Sequence, residues 1–176
     1  MRMENSKMKK IVLTAFVVFL IASPAFAALR PNDAAPTFSL RDGTGRDFSL
    51  SDVVGEKARE KVNGVVLSFF ASWCIPCRKE LPVINSLVDE LKGKGIKVII
   101  VDVRESIETM NALLAELKVD KPIALSDRDG KAAETYQVRG LPTTFFIGGD
   151  GKVKGINFGE IADVADLRKG AAKLVQ

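Results

Sequence analysis

The stretch from Val65 to Pro82, VVLSFFASWCIPCRKELP, constrains this chain more than any other. Val65 to Phe70 is a short, nearly continuous run of β-branched and aromatic residues bounded upstream by Asn63-Gly64, the pattern of a buried strand. The only two cysteines follow as Cys74-Ile75-Pro76-Cys77, and behind them Leu81, Ile84, Leu87, Val88 and Leu91 recur at helical spacing. The cysteine pair therefore sits where a buried strand hands over to a helix N-terminus. The free N–H groups and dipole of a first helical turn favour an anion, and the thiolate is the reactive form of cysteine. Pro76 suits a first turn, whereas Pro82 lies inside the helical pattern and should kink it.

Several chemistries fail on composition. Two cysteines three apart close too short a loop to act as a stabilising staple. Structural zinc needs about four Cys or His ligands, and the chain has two Cys and no His. Haem attachment through C-x-x-C-H fails because Arg78 occupies the His position.

Residues 1–27 read as an export signal, with Arg2, Lys7, Lys9 and Lys10 ahead of the apolar run Ile11–Ala22 and an A-x-A-like cleavage site, Ala25-Phe26-Ala27. The alternative is an uncleaved signal anchor, because Ala25 to Leu29 could extend a run of about 12 residues towards the roughly 20 that span a bilayer. Both outcomes place residues 28–176 outside the cytoplasm. No cysteine near this boundary offers a lipid-anchor site. The segment holds four of the 26 basic and one of the 22 acidic residues, so the remainder has a net charge of +1 rather than +4. Neither that balance nor any run of like charge supports nucleic-acid binding.

The remainder reads as one domain. Thr37–Leu40 and Asp47–Leu50 flank a Gly-containing turn as a β-hairpin, and Ser51-Asp52 caps a short charged helix running towards Val62. After the Cys helix, Lys97–Val103 is a second buried strand of the parallel type, joined to the first by a right-handed βαβ crossover. Ser106 caps a helix from Ile107 to about Lys118, with Met110, Leu113, Leu114 and Leu117 on its core face. Pro122–Leu125 is extended and Gly130–Tyr136 a short helix. Thr144–Ile147 and Lys152–Ile156 form a second hairpin, and a last amphipathic helix spans about Ile161–Leu174.

The segment Phe69-Phe70-Ala71-Ser72-Trp73-Cys74-Ile75-Pro76-Cys77-Arg78-Lys79-Glu80-Leu81-Pro82 resembles the active site of the TlpA-like and ResA-like exported thiol–disulfide oxidoreductases. The Phe38–Leu50 hairpin, the Ser106–Leu125 insertion and Tyr136-Gln137-Val138-Arg139-Gly140-Leu141-Pro142-Thr143-Thr144 agree, and together they cover nearly all of residues 36–175. The resemblance implies an α/β thioredoxin-like fold: a central mixed sheet flanked by helices, with an N-terminal β-hairpin and a central αβ insertion. It implies a redox-active Cys74–Cys77 disulfide and no other cofactor. Pro142 is expected to be a cis-proline beside the cysteines, with Leu141, Trp73, Ile75 and Pro76 meeting the substrate. Ser68 stands where thioredoxin has a buried Asp, and no His is present; the resemblance to the ResA-like members, which have a glutamate at the matching position, implies that Glu80, three residues after Cys77 on the same helix face, takes the proton role.

The implied partners are disulfide-containing envelope proteins, apocytochrome c among them, and a membrane electron donor. A monomer is expected, in the periplasm or on the outer face of the cytoplasmic membrane. Two rivals stand beside this reading. A peroxiredoxin-type thiol peroxidase needs Thr or Ser three residues before its cysteine and Pro seven before; here Ala71 and Leu67 occupy those places. A non-enzymatic adaptor or copper chaperone would have lost a cysteine or would use a distal His, and neither condition is met.

Overall fold

A computed structural model describes residues 28–175; the export signal read at 1–27 lies outside the described residues. Seven strands form one mixed sheet in the order β2-β1-β5-β4-β3-β6-β7. They are β1 (Ser39–Asp42), β2 (Asp47–Ser49), β3 (Gly64–Phe70), β4 (Ile96–Val103), β5 (Ile123–Asp127), β6 (Thr143–Gly148) and β7 (Val153–Phe158). The helices are α1 (Ile75–Gly93), α2 (Ile107–Glu116), α3 (Lys131–Thr135) and α4 (Val164–Ala171). The apolar runs that read as buried strands are the central parallel pair, in register from Gly64 opposite Ile96 to Phe70 opposite Asp102. The αβ insertion contributes α2 and β5; β5 runs parallel to β4 and carries the N-terminal hairpin on its other edge through Arg41 opposite Ser126.

Alternation along β3 and β4 divides the core. Val66, Phe70, Val98 and Ile100 face α1, α2 and α4, meeting Leu81, Ile84, Met110 and Leu167. Val65, Leu67, Phe69, Ile99 and Val101 face α3 and the N-terminal segment. There Tyr136 is the hub: its ring packs against Phe38, Phe69 and Phe145, and its hydroxyl donates to the Pro36 carbonyl at 2.8 Å. Each fully buried Leu, Ile or Phe contributes about 1.5–3 kcal/mol, so these two layers are what hold the strand ends, and hence the site, in place.

Two expectations change. The charged helix after Ser51 is only a 3-10 turn, Leu50–Asp52. Val53 and Val54 are drawn into the core, and Gly55, at φ +93°, donates its N–H to the Gly149 carbonyl, so tertiary contacts override helical propensity. The last helix begins at Val164 rather than Ile161, because the Asp163 carboxylate caps it by accepting the Ala165 and Asp166 N–H groups. Pro82 lies on the exposed side of α1, which continues through it to Gly93.

Helix α4 approaches the sheet closely at Gly170, where a Cβ would run into the Phe146 ring. Gly170→Ala should therefore cost about 1–3 kcal/mol through overpacking, read as a lowered urea midpoint with unchanged slope.

Candidate active site

Strand β3 ends at Phe70, and Ala71-Ser72-Trp73 carries the chain across the sheet edge to Cys74, the N-cap of α1. Cys74 and Cys77 form a disulfide with a Cα–Cα distance of 5.2 Å. The Cys74 sulfur accepts the Cys77 N–H at 3.2 Å, so it occupies the helix-start position where negative charge is favoured. Both cysteines are enclosed: Cys74 is 4% exposed and Cys77 fully buried, leaving Cys74 as the sulfur that solvent or a partner reaches first.

Glu80, one turn into α1 beyond Cys77, is 1% exposed and points into the molecule. Its Oε1 accepts hydrogen bonds from Ser68 Oγ at 2.9 Å and Thr144 Oγ1 at 3.3 Å, and its Oε2 accepts the Ile161 N–H at 2.8 Å. Ser68 and Thr144 are register partners on β3 and β6, and Ile161 is free to donate because α4 starts three residues later. Burial pushes the Glu80 carboxyl above its usual range, against the pull of the Ile161 N–H and the two hydroxyls. Hydroxyls can donate to a carboxylate or accept from a carboxylic acid by rotation alone, so this pocket can hold Glu80 in either state. A buried carboxyl with a raised pKa, one helical turn from a cysteine, can take and return a proton at higher pH than a free glutamate does.

The Leu141–Pro142 peptide bond is cis, as the resemblance implies. Because β6 pairs antiparallel with β3, its start at Thr143 lies opposite Phe69 and brings Leu141 and Pro142 to the sheet edge that carries the cysteines. Leu141 packs against the core cluster that contains Cys74 and Cys77. Trp73 and Ile75 project into solvent, 71% and 69% exposed, and Pro76 is half-buried. All the residues singled out from the sequence thus belong to one end of the sheet.

Sequence reasoning missed three further residues there. Phe158 is 76% exposed at the end of β7, opposite Thr143, and with Pro142, Leu141 and Ile156 it lines an apolar groove of about 610 Å³. Glu105 accepts both the Ser72 N–H and the Ser72 Oγ, each at 2.6 Å, and Asp102 lies buried beside it. The one signal for Asp102 was an acid inside the apolar run Val98-Ile99-Ile100-Val101-Asp102-Val103.

Fold and site together define a thiol–disulfide oxidoreductase of the thioredoxin superfamily, and the comparisons agree. The chain belongs to the AhpC/TSA family, whose model matches residues 31–156. The thiol-disulfide oxidoreductase ResA of Bacillus subtilis (strain 168) is 33% identical over 146 residues, covering 81% of this chain and 77% of the relative. Among solved structures, a thiol:disulfide interchange protein DsbE from Chlorobium tepidum matches with TM-score 0.73 and 31% identity, over 85% of this chain and 100% of the other. The peroxidoxin BcpB of Mycobacterium tuberculosis matches with TM-score 0.69 and 26% identity, over 83% and 96%. In this chain Ala71 and Leu67, at the positions a peroxidase fills with Thr or Ser and Pro, are both fully buried apolar residues.

Proposed function

We propose that the chain is an exported reductase that delivers electrons to disulfides of envelope proteins, apocytochrome c among them, and is recharged by a membrane dithiol donor. It acts as a monomer in the periplasm or on the outer face of the cytoplasmic membrane, attached to the membrane only if residues 1–27 are retained. The observation that carries this reading is the Cys74–Cys77 disulfide at the start of α1 with Glu80 enclosed behind it.

In the reduced enzyme, the Cys74 thiolate attacks one sulfur of the substrate disulfide. A mixed disulfide forms, and the other substrate sulfur leaves as a thiolate that takes up a proton. Glu80 accepts the Cys77 proton, and the Cys77 thiolate attacks Cys74. The enzyme disulfide closes and the second substrate sulfur is released, so two electrons and two protons pass to the substrate. Trp73, Ile75, Pro76 and Leu141 line the approach, and the backbone before cis-Pro142 pairs with the extended substrate segment.

The test is to express the full chain with Cys77→Ser in cells and identify what is linked to Cys74. Disulfide-containing envelope proteins, released by reductant, are the expected catch. A catch confined to cytoplasmic proteins, or no mixed disulfide although Cys74 reacts with alkylating reagents, contradicts the proposal.

A further inference from the structure

Asp102 is fully buried on β4, between Phe70 of β3 and Ser126 of β5, on the sheet face that α1 covers. Neither of its carboxyl oxygens has a hydrogen-bond donor. An ionised carboxylate in such a place lacks both water and a counter-charge, so the neutral acid is favoured, and its O–H needs an acceptor. The acceptor within reach is the Glu105 carboxylate. Glu105 is half-buried, and its two oxygens are already committed to Ser72: one accepts the backbone N–H, the other the hydroxyl.

We propose that Asp102 is a positioning residue for the exchange reaction: as a neutral acid it donates to Glu105, and Glu105 so held clamps Ser72, two residues before Cys74. The pair carries one proton and one negative charge. Burial, then the hydrogen bond to Glu105, then the Glu105 charge, push the Asp102 carboxyl up to about 8. Burial also pushes Glu105 upward, but the two bonds from Ser72 outweigh it and leave Glu105 below its usual value. The proton therefore sits on Asp102 and leaves it at mildly alkaline pH. Two anions then face each other. Asp102 is fixed between strands, while Glu105 can turn to solvent, and doing so strips Ser72 of both acceptors and slackens the loop through Trp73 to Cys74.

The other charged groups on the surrounding elements are engaged elsewhere. Arg78 of α1 pairs with Glu116, and Glu80 with Ser68, Thr144 and Ile161. Glu108 of α2 bonds with Ser106, and Asp127 of β5 accepts the Ala132 and Ala133 N–H groups. Arg104 lies against Gly130. Among the described residues, Glu105 is the one charged group that shifts Asp102.

The chain supplies its own probe, because Trp73 is its single tryptophan, it has no His, and in the oxidised protein both cysteines are bridged. Trp73 fluorescence of the oxidised full chain, titrated from about pH 6 to pH 10, is expected to show a one-proton step near pH 8. The step should survive Glu80→Gln, vanish in Asp102→Asn, and move down by about one pH unit in Glu105→Gln, where the like charge is gone. An infrared carbonyl band of a protonated carboxylic acid at neutral pH, present in Glu80→Gln and absent when Asp102→Asn is added to it, is the parallel expectation. In the rate readout alone, which rests on the exchange reading above, Asp102→Asn should match wild type near pH 7 and exceed it several-fold near pH 9.5. A flat Trp73 signal, or a step that persists in Asp102→Asn, overturns the proposal without touching the exchange reading.

Discussion

Cys74→Ser is expected to abolish reduction of an insulin-type disulfide, whereas Cys77→Ser should retain the first half of the reaction and stop with substrate covalently attached. The asymmetry follows from the site. Cys74 is the helix N-cap and the more exposed of the two sulfurs, so it alone can reach a sulfur on another protein, and the helix start stabilises its thiolate. Cys77 is fully buried behind it and can attack only what is bonded to Cys74. The Cys74→Ser rate should fall to that of the reductant alone. Cys77→Ser should show a single stoichiometric burst and a mixed disulfide visible by mass. Normal turnover by Cys77→Ser would contradict the two-cysteine mechanism.

Glu80→Ala is expected to be the most damaging substitution to stability. It removes the acceptor of the Ile161 N–H and the Ser68 and Thr144 hydroxyls, all enclosed, and leaves a cavity between α1, the sheet and the start of α4. A buried donor left unsatisfied costs about 1–3 kcal/mol, and the hydroxyls can partly satisfy each other through the 2.9 Å Thr144–Ser68 bond. A total of about 3–5 kcal/mol is expected, a large share of the 5–15 kcal/mol typical of a domain. Glu80→Gln keeps the shape and one acceptor and should cost about 1 kcal/mol. The folded protein holds the Glu80 proton more tightly than the unfolded chain does. Wild-type stability therefore falls as pH rises from the ordinary carboxylate pKa to the raised one, and the Glu80→Gln deficit narrows across that window. Urea denaturation at two pH values measures both effects; equal midpoints for Glu80→Ala and wild type would contradict this account.

What could be read from the sequence was what periodicity and residue type encode locally. The runs at Val65–Phe70 and Val98–Val101, the spacing of Leu81, Ile84, Val88 and Leu91, and the cysteines between them define the central β3–α1–β4 unit and its reactive end. Glu80 could be placed on the Cys77 face by spacing alone. Its enclosure could not, because it depends on the β3–β6 register and on where Asp163 lets α4 begin. The segment after Ser51 misled for the opposite reason: Glu56, Lys57, Ala58 and Arg59 favour a helix locally, but Val53, Val54 and Gly55 are held by the core and the β6–β7 turn. Phe158 and the Asp102–Glu105 pair are brought to this end of the sheet by neighbours distant in sequence, Thr143 for the first and Ser72 for the second.

The central claim is that Glu80 carries the proton of Cys77. Its most direct test is the rate at which the mixed disulfide between Cys74 and a small thiol is resolved by Cys77, measured against pH in wild type and Glu80→Gln. Wild-type resolution should rise with pH through a pKa above the ordinary glutamate value, and Glu80→Gln should lack that rise and resolve about 100-fold more slowly at neutral pH. Superimposable rates and pH profiles for the two proteins would contradict the claim.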